Sequence, residues 1–434
     1  MRLTFLELVI PEIAGPPEIP RRHGPASPNL NIIHHFWRLY TRPLRIGYPV
    51  LTVSATPILD LEQDPPAPGS GKWTVLIYLV IGSAIGIGAD SLGVKLPQLN
   101  FLVWIPLLYI AISIHELGHL LAGKMTCMAS GGIVVGGFVA MKSGDHWTVR
   151  FDPRRIFGSG MAIPLPGKDG FEAGRFAWMV AAGPIASIAT TYVCWLAFRR
   201  FGDGAGGWIG SSVWASAIGL ASLIPMSSGI HKSDAARLWI LLTRPDQSRS
   251  WMAAVTVQAE NARGVRPRDW DAALVEQMLA APGSGSEQLF PHLMAFLRCL
   301  DERNESLASE HLEKALAASG RSGKAVRQTL YLQAAEVNAL LKNNAEAART
   351  WLDRALKLRK PESRTCTDSA IAMCEGRYDD ALKHIAATRA FLLKRKLDSG
   401  LARFSHDWLD ERESVCRNAM LAEAHAQPGI RRDG

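Results

Sequence analysis

The sequence contains little cysteine and gives it no recognisable role. Its six cysteines are scattered over 434 residues, and no two of them form a Cys-x-x-Cys pair. Closely spaced pairs are the usual sign of a disulfide framework or of a thiolate zinc site, so neither is expected here. Any metal site in this chain must therefore be built from histidines and carboxylates.

Charged residues are also scarce. They make up 20% of the chain, whereas hydrophobic residues make up 48% and the mean hydropathy is +0.05. This composition excludes a disordered chain and indicates that part of the protein lies in a lipid bilayer. The net charge is +8, but the basic residues do not form one stripe with interleaved aromatic residues, so no nucleic-acid partner is expected.

The chain divides into three regions by composition. Residues 1–72 are rich in proline and glycine and lack the basic start and apolar core of a signal peptide, so we interpret them as a cytoplasmic N-terminal extension. Residues 73–245 predict a transmembrane domain, whereas residues 246–434 are alanine-rich and helical in pattern. The expected fold is mainly α: a polytopic bundle of about four membrane-spanning helices with a small β-hairpin region, followed by a soluble α-helical repeat domain.

The four predicted spans are the apolar runs 73–89, 101–123, 176–198 and 208–242. The first run has 17 residues without a charge, which is just enough to cross a hydrocarbon core of about 30 Å. The fourth run is interrupted by polar residues after Pro225. Because polar backbone at membrane depth is tolerated only where it is buried or lines a cavity, this interruption indicates a site.

Lysine and arginine counts predict the orientation. Residues 1–72 contain seven of them and residues 124–175 contain another seven, whereas the two remaining loops contain only Lys95, Arg199 and Arg200. Cytoplasmic loops carry the excess of positive charge. Both termini are therefore expected in the cytoplasm, in a multi-pass protein of the cell membrane.

The segment between the second and third spans, residues 125–175, is too polar to cross a membrane. Glycine-rich and β-branched stretches at 131–139 and 146–151 predict short strands and turns. This segment is the expected β-hairpin region.

The soluble region contains self-similar units. Ala308, Ala348 and Ala381 occupy matching positions, and they are 40 and 33 residues apart. The spacing is close to the tetratricopeptide period of about 34 residues, and each unit resembles a tetratricopeptide repeat, in which a small alanine lets paired helices approach closely. Such a region is expected to bind a protein partner. An ordinary helical bundle with coincidental alanines is the alternative.

The clearest motif is His115-Glu116-Leu117-Gly118-His119, near the end of the second predicted span. Positions i and i+4 of a helix share one face, so both imidazoles can bind one zinc ion while Glu116 projects beside the open coordination position. There Glu116 can take a proton from zinc-bound water as a general base. Three ionisable side chains in an apolar helix are costly unless they are paired or metal-bound, which favours a functional site.

A catalytic zinc site needs a third protein ligand. Asp234 is favoured because it is a carboxylate within the interrupted fourth apolar run. Glu172 is the alternative, 53 residues after His119 in a polar loop. If Asp234 is instead an ordinary loop charge, we expect Lys232 or Arg237 to pair with it.

These motifs resemble the site-2 proteases, a family of intramembrane zinc metallopeptidases. The resemblance covers roughly residues 73–245 and consists of the motif at 115–119, Gly183-Pro184 in the third span, and Pro225 with Ser233-Asp234 in the fourth. It implies that His115, His119 and Asp234 bind one zinc ion per chain and that Glu116 is the general base.

Three positions depart from the family pattern. Ser187 and Ser222 stand where the family usually has asparagine, and Ala235 stands where a glycine commonly follows the ligand aspartate. A serine hydroxyl can still donate one hydrogen bond to a substrate backbone or to an oxyanion. The resemblance thus implies substrate-binding or oxyanion roles for residues of the third and fourth spans, namely Gly183, Pro184, Ser187 and Ser222.

The resemblance also implies a use for the polar segment. A peptide must be unfolded beside the metal to be cleaved, and the strand-like residues 131–151 can pair with it by β-addition, with Gly136-Gly137 as the flex point. A hairpin that only associates with the membrane is the alternative.

The sequence therefore predicts an intramembrane zinc-dependent endopeptidase that cuts membrane-spanning or membrane-adjacent proteins near the cytoplasmic face. Two other functions stay open. One is a catalytically inactive, membrane-anchored adaptor that binds a partner through its repeats. The other is a non-membrane zinc peptidase that uses Glu172.

Overall fold

The computed structural model of the chain describes residues 101–143, 146–151, 160–166, 172–202, 207–228, 231–280, 286–358, 364–395 and 399–426. The N-terminal extension and the first predicted span lie outside the described residues. The described part is mainly helical, as the sequence predicts, and it contains one small sheet of four strands.

The first part of the chain carries the predicted motifs. Its elements are α1 (Phe101–Met125), β1 (Ala129–Val135), β2 (Phe138–Ser143), β3 (His146–Phe151), β4 (Met161–Leu165), α2 (Ala173–Phe201), α3 (Gly207–Leu223), β5 (Ser227–Ser228), β6 (His231–Lys232) and α4 (Asp234–Thr243). The helices that follow are called the helical region. They are α5 (Pro245–Ala262), α6 (Ala272–Leu279), α7 (Ser286–Asp301), α8 (Glu305–Ala318), α9 (Lys324–Leu340), α10 (Ala345–Leu358), α11 (Thr365–Cys374), α12 (Tyr378–Arg395) and α13 (Gly400–Ala426).

Two helices in the described part are long and apolar enough to cross a membrane. They are residues Ile105–Met125 of α1 and the 29 residues of α2. Only 28% and 33% of their most apolar windows are buried within the protein. Large apolar side chains on them, such as Leu121 and Ile188, are exposed instead. The two helices thus differ from the core helices of soluble proteins, which are mostly buried.

The prediction of about four spans is met by only these two helices among the described residues. The first predicted span is not described, and the fourth is not one spanning helix. α3 has 17 residues and ends at Leu223, after which β5 and β6 pair as a short antiparallel hairpin before α4 begins at Asp234. Pro225 lacks an N–H group and disfavours helical backbone in the residue before it, so the helix ends there.

Small residues let the apolar helices approach closely. A Cβ added at Gly118 of α1 would lie 2.7 Å from both the carbonyl oxygen of Ala182 and the Cβ of Ala186 on α2. A Cβ added at Gly219 of α3 would lie 3.0 Å from the Cβ of Ser187 on α2. Close backbone approach at glycine and alanine is the usual packing of helices in lipid.

The sheet has the strand order β3-β2-β1-β4, and each neighbouring pair is antiparallel. Gly136 and Gly137 form the turn between β1 and β2, and Gly136 has a φ of +54°. A side chain at Gly136 would also overlap the ring of Tyr109 on α1. The predicted flex point is therefore a tight turn that packs against α1.

The helical region contains three successive helix pairs, α7 with α8, α9 with α10 and α11 with α12, and α13 packs on α12. Ala308, Ala348 and Ala381 are each the fourth residue of the second helix of a pair, and each is completely buried. This placement is the one that the matching alanines predict.

The turns inside the three pairs also repeat. Arg303, Asn343 and Gly376 each lie five residues before the matched alanine, and each has a positive φ, between 47° and 73°. Left-handed backbone conformation is costly for residues other than glycine and asparagine. The same local conformation thus recurs in all three units although only one of them has glycine.

Candidate metal centre

His115, His119 and Asp234 come together in the structure. They are called the His-His-Asp cluster. Asp234 Oδ2 lies 3.1 Å from His115 Nε2 and 3.5 Å from His119 Nε2. Each of the three residues is less than a tenth exposed. The cluster brings together two residues of α1 and the first residue of α4, more than a hundred residues later in the chain.

The two histidines present the same ring nitrogen to Asp234. Their rings are nearly perpendicular, with centroids 4.9 Å apart. His119 Nδ1 lies 2.9 Å from the backbone carbonyl oxygen of Met179, and His115 Nδ1 lies 2.9 Å from Ser187 Oγ. A carbonyl oxygen only accepts, so His119 donates from Nδ1, and the neutral imidazole then has its lone pair on Nε2. Outer hydrogen bonds of this kind are the usual orienting contacts of metal-binding histidines.

Glu116 is buried beside the cluster, on the same helix as the two histidines. The backbone of Gly160, immediately before β4, lies against its carboxylate, and a Cβ added at Gly160 would overlap Oε1. The start of β4 therefore forms one wall of the space in front of Glu116.

Gly183 lies directly against the imidazoles. A Cβ added at Gly183 would overlap His119 Nε2 and lie 2.9 Å from His115 Nε2. The resemblance to the site-2 proteases implied a substrate-binding or oxyanion role for Gly183 and the adjacent Pro184. The structure gives Gly183 a steric role, because it leaves space in front of both ring nitrogens, and Pro184 is buried within α2.

The hydroxyls of the two predicted oxyanion donors are engaged elsewhere. Ser187 is almost completely buried and contacts the Nδ1 side of His115, which faces away from Asp234. Ser222 donates to the backbone carbonyl oxygen of Gly219 at 2.8 Å, within its own helix. Ser187 is thus an orienting partner of His115.

Ser233 fixes the position of Asp234, a role that our sequence analysis missed. Its hydroxyl donates to the carbonyl oxygen of Ile224 at 2.7 Å and accepts from the N–H groups of Met226 at 3.0 Å and Ala236 at 3.3 Å. The last bond is an N-cap of α4. A serine directly before a helix is the sequence signal for such a cap.

Arg237 lies one turn after Asp234 on α4. Its NH1 atom is 3.8 Å from Asp234 Oδ1, the carboxylate oxygen that does not face the histidines. Asp234 does pair with Arg237, as the alternative interpretation expects. The same carboxylate also faces both imidazoles, so this ion pair does not exclude a role as metal ligand. Lys232 pairs instead with Glu287 of α7, at 3.1 Å.

Glu172, the alternative third ligand, is not part of the cluster. Its side chain is 73% exposed and pairs with Arg175 at 3.2 Å, at the start of α2. Among the described residues, the group whose ligand atoms all lie within 4.8 Å of one another is the His-His-Asp cluster. The reading as a zinc peptidase with Glu172 as ligand has no geometric basis here.

The helical region packs directly against the elements that carry the cluster. Met128, Phe176, Met179, Val180 and Leu241 form a buried apolar cluster. It is extended by Trp251 and Met252 of α5. The rings of Phe176 and Trp251 meet edge to face, with centroids 4.9 Å apart. The first helix of the helical region is thus part of the packing around α2 and α4.

No family model matches this chain, and no curated protein or solved structure matches it either. The likeness to the site-2 proteases therefore rests on the motif residues alone.

Two imidazole nitrogens and one carboxylate oxygen, all buried and convergent, suit a zinc ion. Catalytic zinc sites use three such protein ligands and keep a further position open. Space in front of the two Nε2 atoms is preserved by Gly183. The donor set of the cluster therefore fits this metal.

Proposed function

We propose that this chain is an intramembrane zinc-dependent endopeptidase that hydrolyses peptide bonds of membrane-spanning or membrane-adjacent proteins near the cytoplasmic face. The observation that carries the proposal is the convergence of Asp234, from α4, on His115 and His119, which lie with Glu116 in the apolar helix α1. Buried ionisable groups in such a helix are costly unless they are paired or bind a metal.

The membrane location rests on the exposed apolar surfaces of α1 and α2. We infer that the chain is a multi-pass protein of the cell membrane, that residues 73–89 and the α3–α4 segment complete a bundle of about four spans, and that both termini are cytoplasmic. Lys124 at the end of α1 and Arg175 at the start of α2 support this orientation, because basic residues favour the cytoplasmic side.

One zinc ion per chain, held by His115, His119 and Asp234, would act as a Lewis acid that acidifies water and polarises the scissile carbonyl group. Glu116 takes a proton from the attacking water and later delivers it to the leaving nitrogen of the peptide. Ser187 and the carbonyl oxygen of Met179 hold the imidazoles in the orientation that presents both Nε2 atoms.

The substrate would bind as an extended strand. β1 and β2 are each paired on both sides, so the segment 131–143 has no edge for a further strand. β4 is an edge strand, and Gly160 at its start lies against Glu116. The other edge of the sheet is β3, within the predicted residues 131–151. We place β-addition at β4 because Gly160, at its start, lies beside Glu116.

Replacement of Glu116 by glutamine tests the catalytic assignment. The probe is a library of quenched fluorescent peptides with apolar, helix-breaking sequences, presented in detergent micelles to the purified full-length protein. Loss of a general base lowers the rate by at least about 100-fold. A Glu116→Gln protein that cleaves the library as fast as the wild type would show that Glu116 is not the base.

An inactive, membrane-anchored adaptor is the second candidate. The three helix pairs with matched alanines favour a protein partner for the helical region, because stacked helix pairs build extended binding surfaces. The two candidates differ in metal content: an adaptor needs no zinc in the His-His-Asp cluster.

A further inference from the structure

A peptidase needs a donor for the carbonyl oxygen that becomes negatively charged when water adds to the peptide bond. The two serines implied by the family resemblance do not serve this purpose here. Ser187 contacts the side of His115 that faces away from Asp234, and the Ser222 proton is donated to the carbonyl oxygen of Gly219. Another residue near the His-His-Asp cluster is therefore the better candidate for this donor.

Arg237 places a cation next to the His-His-Asp cluster. Asp234 turns Oδ2 to the histidines and Oδ1 to the guanidinium of Arg237. The separation of 3.8 Å is longer than a hydrogen bond, so this ion pair leaves N–H groups of Arg237 for another acceptor. The Arg237 side chain is 36% exposed, whereas that of Asp234 is 9% exposed. Arg237 is therefore the more exposed partner of this ion pair.

The positive charge of Arg237 and the orientation of the neighbouring Lys232 both favour Arg237 as the donor. Arg237 places its positive charge beside the Asp234 carboxylate. The neighbouring cation Lys232 is directed away, toward Glu287 of α7. A divalent metal would balance the carboxylates of Asp234 and Glu116, and Arg237 would add one positive charge, which matches the negative charge that develops on the substrate.

We propose that Arg237 binds the developing oxyanion of the scissile peptide bond and forms, with the metal centre, a binding position for tetrahedral anions. This inference rests on the proposed endopeptidase function. The attacking water loses a proton to Glu116, and its oxygen bonds to the carbonyl carbon. The π electron pair of the carbonyl group moves onto its oxygen, next to the Arg237 guanidinium. The electron pair on the oxyanion then re-forms the C=O bond as the C–N bond breaks, and the leaving nitrogen takes the proton from Glu116.

The test compares zinc content and anion binding in full-length detergent-purified proteins. The variants are Arg237→Gln, Arg237→Lys and, as a control, Arg244→Gln, whose side chain contacts Gln247 at the exposed end of α4. The probe is a short apolar peptidyl phosphinate, which carries a tetrahedral anion. We expect equal zinc content in all proteins. Phosphinate affinity should fall at least tenfold in Arg237→Gln, less in Arg237→Lys and not at all in Arg244→Gln.

Kinetics give a second readout. A donor that acts only on the transition state lowers kcat by about 100-fold when it is removed and leaves KM nearly unchanged. Arg237→Gln protein with normal zinc content and unchanged phosphinate affinity would overturn the proposal. Loss of zinc from Arg237→Gln would also overturn it, because Arg237 would then position Asp234. A wild-type protein without zinc would overturn the proposed function itself.

Discussion

The Nδ1 atom of His119 lies 2.9 Å from the carbonyl oxygen of Met179, and the side chain of Met179 belongs to the apolar cluster that includes Trp251 of the helical region. The same residue thus fixes the orientation of an imidazole and packs against α5. Movement of the helical region relative to α2 would therefore change the orientation of His119 in the His-His-Asp cluster.

Ser187→Ala removes the hydrogen-bond partner of His115 Nδ1. We expect zinc affinity to fall by about 10- to 100-fold, because outer-shell partners of metal-binding histidines contribute on this scale. Titration with a competing chelator measures the change. Ser212→Ala is the control, since Ser212 bonds the carbonyl oxygen of Thr191 elsewhere in the bundle. Equal affinities in the two variants would show that Ser187 does not orient His115.

Gly183→Ala places a methyl group in the space in front of both Nε2 atoms. We expect the variant to fold but to retain little zinc, because the added group displaces the imidazoles from their converging positions. Gly174→Ala is the matched control on the same helix, where an added Cβ meets nothing within 4 Å. Full zinc content in Gly183→Ala contradicts the steric role assigned to this glycine.

Ser233→Ala removes the hydroxyl that joins Ile224, Met226 and the N-terminus of α4. Loss of an N-cap costs about 1 kcal/mol, and here it also releases the backbone that positions Asp234. We expect reduced zinc affinity as well as reduced stability. Asp271→Ala removes the N-cap of α6 far along the chain and should reduce stability alone. A metal affinity that is equal in the two variants would show that the Ser233 hydroxyl does not position Asp234.

A histidine pair predicts pH-dependent stability of the helical region. His292 Nδ1 lies 3.1 Å from His311 Nδ1. Burial, then the nearby charges of His311 and Lys314, which outweigh Glu310, lower the pKa of His292 to about 4. In the unfolded chain the histidine pKa is about 6.5, so below that pH the unfolded chain binds more protons than the folded chain. The contribution of His292 to the free energy of unfolding is therefore fully present above that pH and is lost progressively toward pH 4.

Thermal unfolding of the full chain in detergent tests whether stability falls toward low pH as predicted. Tm should fall more steeply for the wild type than for His292→Gln between pH 7.5 and pH 4.5. His425→Gln, at an exposed position near the end of α13, should behave as the wild type. A wild-type slope that is unchanged by His292→Gln contradicts the assignment.

The sequence was most informative where local spacing determines geometry. Positions 115 and 119 share a helix face at any crossing angle, and the buried alanines at 308, 348 and 381 follow from a regular repeat. Asp234 could be singled out because a carboxylate in an apolar run needs a partner. In each case one helix or one repeat unit carries the signal.

Contacts between distant segments were not predictable in the same way. The neighbours of Ser187 and Gly183 depend on how α2 packs on α1, and no local pattern specifies this packing. The fourth predicted span is not one helix, because a run of apolar residues does not reveal that α3 ends before Pro225 and that a hairpin follows. Gly160 gave no sequence signal, since its contact with Glu116 depends on the position of β4.

Zinc stoichiometry of the detergent-purified full-length protein tests the central claim most directly. The comparison is wild type, Asp234→Ala, and Glu172→Ala as the control carboxylate. We expect about one zinc ion per chain in the wild type and in Glu172→Ala, and nearly none in Asp234→Ala. A well-folded wild type without zinc, or an Asp234→Ala protein that keeps it, would contradict a zinc centre built from His115, His119 and Asp234.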